Sequence, residues 1–276
     1  MAAMPNRIIV ITGATDGLGR ALAGVLADQP DTPLVLHGRD PARLDEVSAS
    51  LAGAPASVHT LLADFSELAQ VHRLADEIAG LTDTVSVLVN NAGIGSGEPE
   101  GTQRRVSADG YELRFAVNYL ASFALTERLL PLLEAGAPAR IVNVASLGQA
   151  PIDFGDPDIE NGYSGLRAYG QSKLAMITSG FTLAERLDPQ RVTVNSLHPA
   201  TYMPTKMVML NRGSSIDTLE TGLEATLRLV VAPELEGVTG EFFDRTRRAR
   251  AGESAYDPQV RQRLWDLSVQ RTGRRP

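Results

Sequence analysis

No cysteine occurs among the 276 residues, so disulfides, thiolate nucleophiles and cysteine-ligated metals are excluded from the start. No apolar run approaches the roughly 18 residues that a membrane-crossing helix needs, which argues against membrane insertion. The opening stretch MAAMPNR lacks the apolar segment of a secretory signal, and the expectation is a cytoplasmic protein. Positive charge is in deficit: 26 lysines and arginines stand against 33 aspartates and glutamates, for a net charge of −7. That balance leaves no electrostatic footprint for nucleic acid or an anionic membrane. The late arginines (Arg245, Arg247, Arg248, Arg250, Arg274, Arg275) form local basic spots and read as solvated.

What is present suffices for a substantial core, since 43% of the residues are hydrophobic. No repeat, composition shift or long linker interrupts the chain, which predicts one domain over residues 1–276. Strand-like runs occur at 7–13, 33–39, 57–64, 85–93, 140–146, 192–199 and 240–244. Several are apolar on both faces, as strands inside a parallel sheet are. Helical patterns lie between them, near 18–29, 41–51, 67–80, 109–134, 166–187 and 217–230, and Asp40-Pro41 opens one with a cap and a first-turn proline. The alternation predicts an α/β fold, a doubly wound sheet with helices on both faces.

The first strand runs into TGATDGLG (12–19), with Gly13, Gly17 and Gly19 at the turn and a helix following. Such a turn lets backbone approach a pyrophosphate while the helix N-terminus offers free N–H groups to it. The second strand ends HGRD. Gly38 is expected to leave space there and Arg39 to reach a ribose 2′-phosphate, favouring NADP(H) over NAD(H), which is also accommodated. Asp16 opposes this through its like charge.

Three further features follow in order: NNAG at 90–93, Ser146 ending VNVAS, and Tyr169 four residues ahead of Lys173. Together with the glycine turn they resemble the classical short-chain dehydrogenase/reductase family over roughly residues 7 to 245, which implies a seven-stranded parallel sheet in a Rossmann-like domain. The resemblance implies Tyr169 as general acid/base, Lys173 as its activator, Ser146 as donor to the substrate oxygen and Asn118 as relay. It also implies cofactor contacts at Gly13, Thr15, Asp16, Gly17, Leu18, Gly19, Arg39, Asp64, Phe65, Asn91, Ala92, Gly93, Tyr169, Lys173 and Thr205, with no metal. A free phenol titrates near ~10, so bringing it to neutral pH requires roughly 4 kcal/mol, part of which a cation one helical turn away supplies.

The segment from Ser146 to Tyr169 is longer than in many members. Its length, together with YxxSKLA and LWDLS (264–268), is similar to the retinol dehydrogenase branch. The acids in that segment (Asp153, Asp156, Asp158, Glu160) read as a solvated loop rather than a cation site. After the sixth strand HPATYMPT replaces the family's glycine with Ala200 and places Thr205 one residue late. A lid is expected near 200–217, where Met203, Met207 and Met209 suit an apolar small-molecule substrate, followed by a C-terminal extension over 245–276. His198, a lone histidine, reads as a packing or backbone-hydrogen-bonding residue rather than a catalytic one. A homo-oligomer is compatible with the sequence. Two other functions compete: a nucleotide-binding regulator or scaffold that has lost turnover, and an epimerase using the same redox step.

Overall fold

The computed structural model describes residues 8–97, 103–205, 208–209 and 213–273. Eight strands form one sheet in the order β3-β2-β1-β4-β5-β6-β7-β8. They are β1 (Ile9–Ile11), β2 (Leu34–Gly38), β3 (Val58–Leu62), β4 (Val87–Asn90), β5 (Ala139–Val144), β6 (Val192–His198), β7 (Glu241–Asp244) and β8 (Arg247–Ala249). The first seven are parallel, as expected; β8 is an eighth that the sequence pattern does not reveal, paired antiparallel to β7. It is short and carries two exposed arginines, as protected sheet edges do, so no apolar pattern marks it.

The sheet parts two apolar layers. On one side lie α3 (Leu68–Leu81), α5 (Ala121–Ala135) and α6 (Gly165–Arg186). On the other lie α1 (Gly17–Ala27), α2 (Pro41–Ser50) and α7 (Leu219–Val231). The caps act as the sequence suggests: Asp40 accepts from Ala42 N–H at 3.0 Å with Pro41 in the first turn. The long helix expected over 109–134 is composite. A short α4 (Leu113–Phe115) passes through a π-helical turn (Ala116–Leu120) into α5.

The C-terminal extension is part of the core. Its α8 (Pro258–Thr272), capped by Asp257, packs on α6 and buries Leu264, Trp265 and Ser268. Trp265 meets Phe123 edge-on at 5.1 Å, and Arg186 stacks on its ring at 3.7 Å. Several of the late arginines have partners, and Arg248 and Arg250 are exposed as expected. Arg245 pairs with Asp217 and Asp244, Arg248 with Glu241, and Arg250 covers the Tyr256 ring. Arg247 is exposed, while Arg274 and Arg275 lie outside the described residues. No helix among the described residues is long and apolar enough to cross a membrane.

Candidate active site

Strand order reverses between β1 and β4, and the crevice beyond their carboxyl ends is where α/β sheets bind ligands. Thr12, just past β1, receives N–H bonds on its hydroxyl from Asn91 (2.9 Å) and Ala92 (3.0 Å). The Asn91 amide returns bonds to the carbonyls of Thr12 and Gly13, so the glycine turn and NNAG form one braced unit. Gly13 has φ +66°, and a Cβ there would stand 2.8 Å from Ala92 Cα. At Gly19 a Cβ would stand 2.2 Å from Gly13 O. Both glycines are therefore required by a close-packed turn ahead of α1. Asp16 caps α1 by accepting from Gly17 N–H at 2.7 Å, and Leu18 turns into the core. Thr205 belongs to this cradle despite its late register, for its methyl would meet a Cβ on Gly17 at 2.8 Å.

The space expected at Gly38 is taken. The Thr15 methyl would lie 2.5 Å from a Cβ there, with Leu44 behind it. Arg39 is exposed beyond β2 and makes no ion pair among the described residues. A second guanidinium, missed in the sequence, joins it from the first turn of α2. Arg43 stands 3.8 Å from Asp16 and 3.7 Å from Asp40, so Asp16 is partly neutralised. Asp64 accepts from Ser66 N–H at 2.8 Å after β3, and the Phe65 ring stacks on His37 at 4.2 Å.

His37 is the other unforeseen member. Gly13 N–H donates to its Nδ1 (3.3 Å), which places the ring proton on Nε2, in turn 2.9 Å from Ala63 O. Burial lowers its pKa to about 4, so the ring is neutral and wedges the glycine turn against β3. A lone histidine in a strand carries no spacing signal that would reveal this.

Four side chains converge at the ends of β4 and β5. Asn118, buried in the π-helical turn, accepts from Ile94 N–H (2.7 Å) and donates to Ile94 O (3.1 Å) and the Ser172 hydroxyl (3.0 Å). Ser172, four residues beyond Ala168 on α6, was not anticipated. Lys173 is buried and donates to Val144 O at 2.8 Å; desolvation lowers its pKa to about 8. Its Nζ lies 5.8 Å from the Tyr169 ring centroid. Ser146 lies beside the Tyr169 phenol, and its Oγ accepts from Gly148 N–H at 3.0 Å. Burial raises the Tyr169 pKa, with Ser146 pulling it down and Tyr202 pushing it up. The expected lowering by Lys173 does not prevail, because both heads of the pair are desolvated.

The segment expected to form a lid is tied at the ends that are described. Thr201 N–H donates to Asp217 at 2.7 Å, Asp217 N–H to Thr201 O at 3.0 Å, and Arg245 bonds Asp217 at 2.6 Å. His198 bonds the Thr201 hydroxyl at 3.1 Å, a role within this tie. Met203 turns away from the crevice, its sulfur lying against Gly222 of α7. Tyr202 and Met209 are exposed, and Met207 lies outside the described residues. In the segment before α6, Asp158 is not solvated: it pairs with Arg271 of α8.

A sequence profile of the family described as short chain dehydrogenase matches residues 7–214. The chain is 32% identical to retinol dehydrogenase 13 of Mus musculus over 99% of its length and 85% of that protein's. It is 33% identical to polyprenol dehydrogenase of Mus musculus, covering 98% of this chain and 84% of the other. A crystal structure of an uncharacterized protein from Mycobacterium paratuberculosis superposes with a TM-score of 0.76 at 28% identity, over 99% of this chain and 96% of that one.

Proposed function

The chain belongs to the short-chain dehydrogenase family, oxidoreductases acting on CH–OH and C=O groups, and on that premise we propose that it interconverts an alcohol and a carbonyl on a lipophilic small molecule, using NADP(H). The observation that carries the reading is the convergence of Ser146, Tyr169, Lys173 and Asn118 beside a glycine turn that side chains could not share. A dinucleotide fits that turn: its pyrophosphate would lie at the N-terminus of α1, with Arg39 and Arg43 beside the adenosine ribose. A nicotinamide coenzyme supplies or takes the hydride when bound.

The protein's own part is the proton and the oxygen. Tyr169 gives its phenolic proton to the substrate oxygen in reduction and takes it back in oxidation. Ser146 donates a hydrogen bond to that oxygen, and the bond strengthens as negative charge gathers there. Lys173, with a pKa of about 8, is cationic at neutral pH, favours the phenolate and restores the proton. Asn118 bonds the backbone at Ile94 and lies near Lys173 beside Gly93, and it serves as the relay. The lipophilic substrate is supported by relatives named for retinol and polyprenol, and by Tyr202 and Met209 exposed on the lid. A cytoplasmic site of action accords with the acidic composition; cell fractionation tests it.

Long-chain and cyclic aldehydes, ketones and alcohols, presented with NADPH, NADP, NADH and NAD, form the direct test by nicotinamide absorbance. Turnover of an apolar carbonyl with NADPH is expected. Coenzyme binding with no turnover across the panel would replace the enzyme by a binding protein of the same fold.

A further inference from the structure

In YELRFAVNYL, Glu112 and Arg114 stand just ahead of Asn118 and have the sequence pattern of a charged, solvated helix face. They are instead among the most buried side chains in the molecule, each 1% exposed and 3.7 Å apart. Such a pair persists only where its remaining donors and acceptors are met. Arg114 donates through Nε to Gly95 O at 2.7 Å, through Nη2 to Gly97 O at 3.4 Å and through Nη1 to the Tyr163 hydroxyl at 2.7 Å. Tyr163 donates to Glu112 Oε1 at 3.0 Å, and Glu112 Oε2 accepts from Phe115 N–H at 2.7 Å. Burial and the neighbouring carboxylate push the Tyr163 phenol up to about 12, so it stays protonated and keeps donating.

The loop that Arg114 grips is the one that Asn118 also grips. Asn118 bonds both backbone groups of Ile94, and Arg114 bonds the carbonyls of Gly95 and Gly97. One helical segment thus clamps residues 94–97 at successive points. Immediately before them, a Cβ on Gly93 would stand 3.1 Å from Asn118 Oδ1 and 3.6 Å from Lys173 Nζ. The loop is thus bonded to Asn118 and runs close beside Lys173, so its position bears on both.

We propose that Arg114 and Tyr163 are positioning residues, a buried latch that holds residues 94–97 where the Asn118–Lys173 relay needs them. Tyr163 comes from the long segment between Ser146 and α6, and through it that segment closes the latch from outside. The proposal rests on the catalytic reading of Tyr169, Lys173 and Asn118 given above. Its effect passes through geometry, and a misplacement of about 1 Å remote from the reacting atoms can lower a rate by ~100-fold.

Tyr163→Phe removes one hydroxyl and keeps the ring; Arg114→Lys keeps the charge and loses the fork. Both are to be compared with wild type in kcat, KM, the solvent isotope effect on kcat, NADPH Kd and melting temperature. The expected result is a kcat lowered on the order of 10- to 100-fold with a larger solvent isotope effect and unchanged NADPH Kd. A folded Tyr163→Phe protein with wild-type kcat and isotope effect overturns the latch, as does a lower melting temperature with kcat unmoved. If Arg114→Lys fails to fold, Tyr163→Phe decides alone. Tyr169→Phe separates the two readings: its inactivity beside a fully active Tyr163→Phe removes only the latch, whereas its wild-type activity removes the catalytic reading itself.

Discussion

The two banks of the crevice are built by opposite rules. On the β2 side, charge is exposed and loosely paired: the Asp16 and Arg43 side chains are 49% and 36% exposed and 3.8 Å apart, and Arg39 is exposed as well. On the β5 side, Asn118, Lys173, Glu112 and Arg114 are buried, and each is hydrogen-bonded by a neighbouring element. Exposed charges are screened and contribute little to the fold, so they are free to set which ligand binds. Buried ones cannot change without leaving a partner unmet, so they suit chemistry that depends on fixed positions.

The largest effect that would break this contrast concerns Tyr169. Tyr169→Phe should lower turnover on the order of 10²- to 10⁴-fold while coenzyme binding, read by fluorescence titration, is nearly unchanged. Near-normal turnover would show that the buried bank does not do the chemistry. Lys173→Ala should reduce turnover and coenzyme binding together.

His37 sharpens the contrast from within the β2 side, because it is a buried titratable group on the otherwise exposed bank. Its folded pKa of about 4 lies below the ordinary 6.5, so its contribution to stability is complete above pH 6.5 and is lost as pH falls toward 4. The loss amounts to roughly 3 kcal/mol at the lower limit. Urea unfolding of His37→Asn at neutral pH and inside that window should show a flatter pH dependence than wild type. Equal slopes would mean that the ring is not held neutral.

Much of this was legible from local spacing. The glycine turn, NNAG and the Tyr169–Lys173 pair each place their chemistry within a few residues, so one element shows it. The rest depends on who arrives from elsewhere. Glu112 and Arg114 look like surface charges until Tyr163 and Asp158 cover them from some fifty residues away. The buried stripe of α8 includes Ser268 and Thr272 among its members, so periodicity in apolar residues does not announce it. At Gly38 the sequence suggested an opening, which Thr15 fills from another loop.

Arg39→Ala gives a smaller effect. It should weaken NADPH by roughly ten- to a hundredfold and leave NADH almost untouched, as removal of a charge-assisted bond of about 1.5–3 kcal/mol does. Titration of both coenzymes decides this, and equal losses would make Arg39 indifferent to the 2′-phosphate. Smallest of all, Asp16→Asn should favour NADPH by less than ~1 kcal/mol, since the pair it forms with Arg43 is exposed. A gain larger than that in the same titration would mean that the exposed bank is less screened than its geometry suggests.

The π-helical turn at Ala116–Leu120 has a bearing on how the gene could change. Such a turn amounts to one extra residue threaded into an α-helix. Deleting one codon of that stretch, other than that of Asn118, would let the helix close into regular α geometry with both flanks keeping their faces, since the wide turn is where the extra residue is absorbed. Glu112 and Arg114 would stay under Tyr163, while the residues inside the turn, Asn118 among them, would be redistributed around the axis. A single in-frame deletion there would leave the reading frame, composition and hydropathy of the chain almost unaltered, and would still dismantle the contacts around its active site.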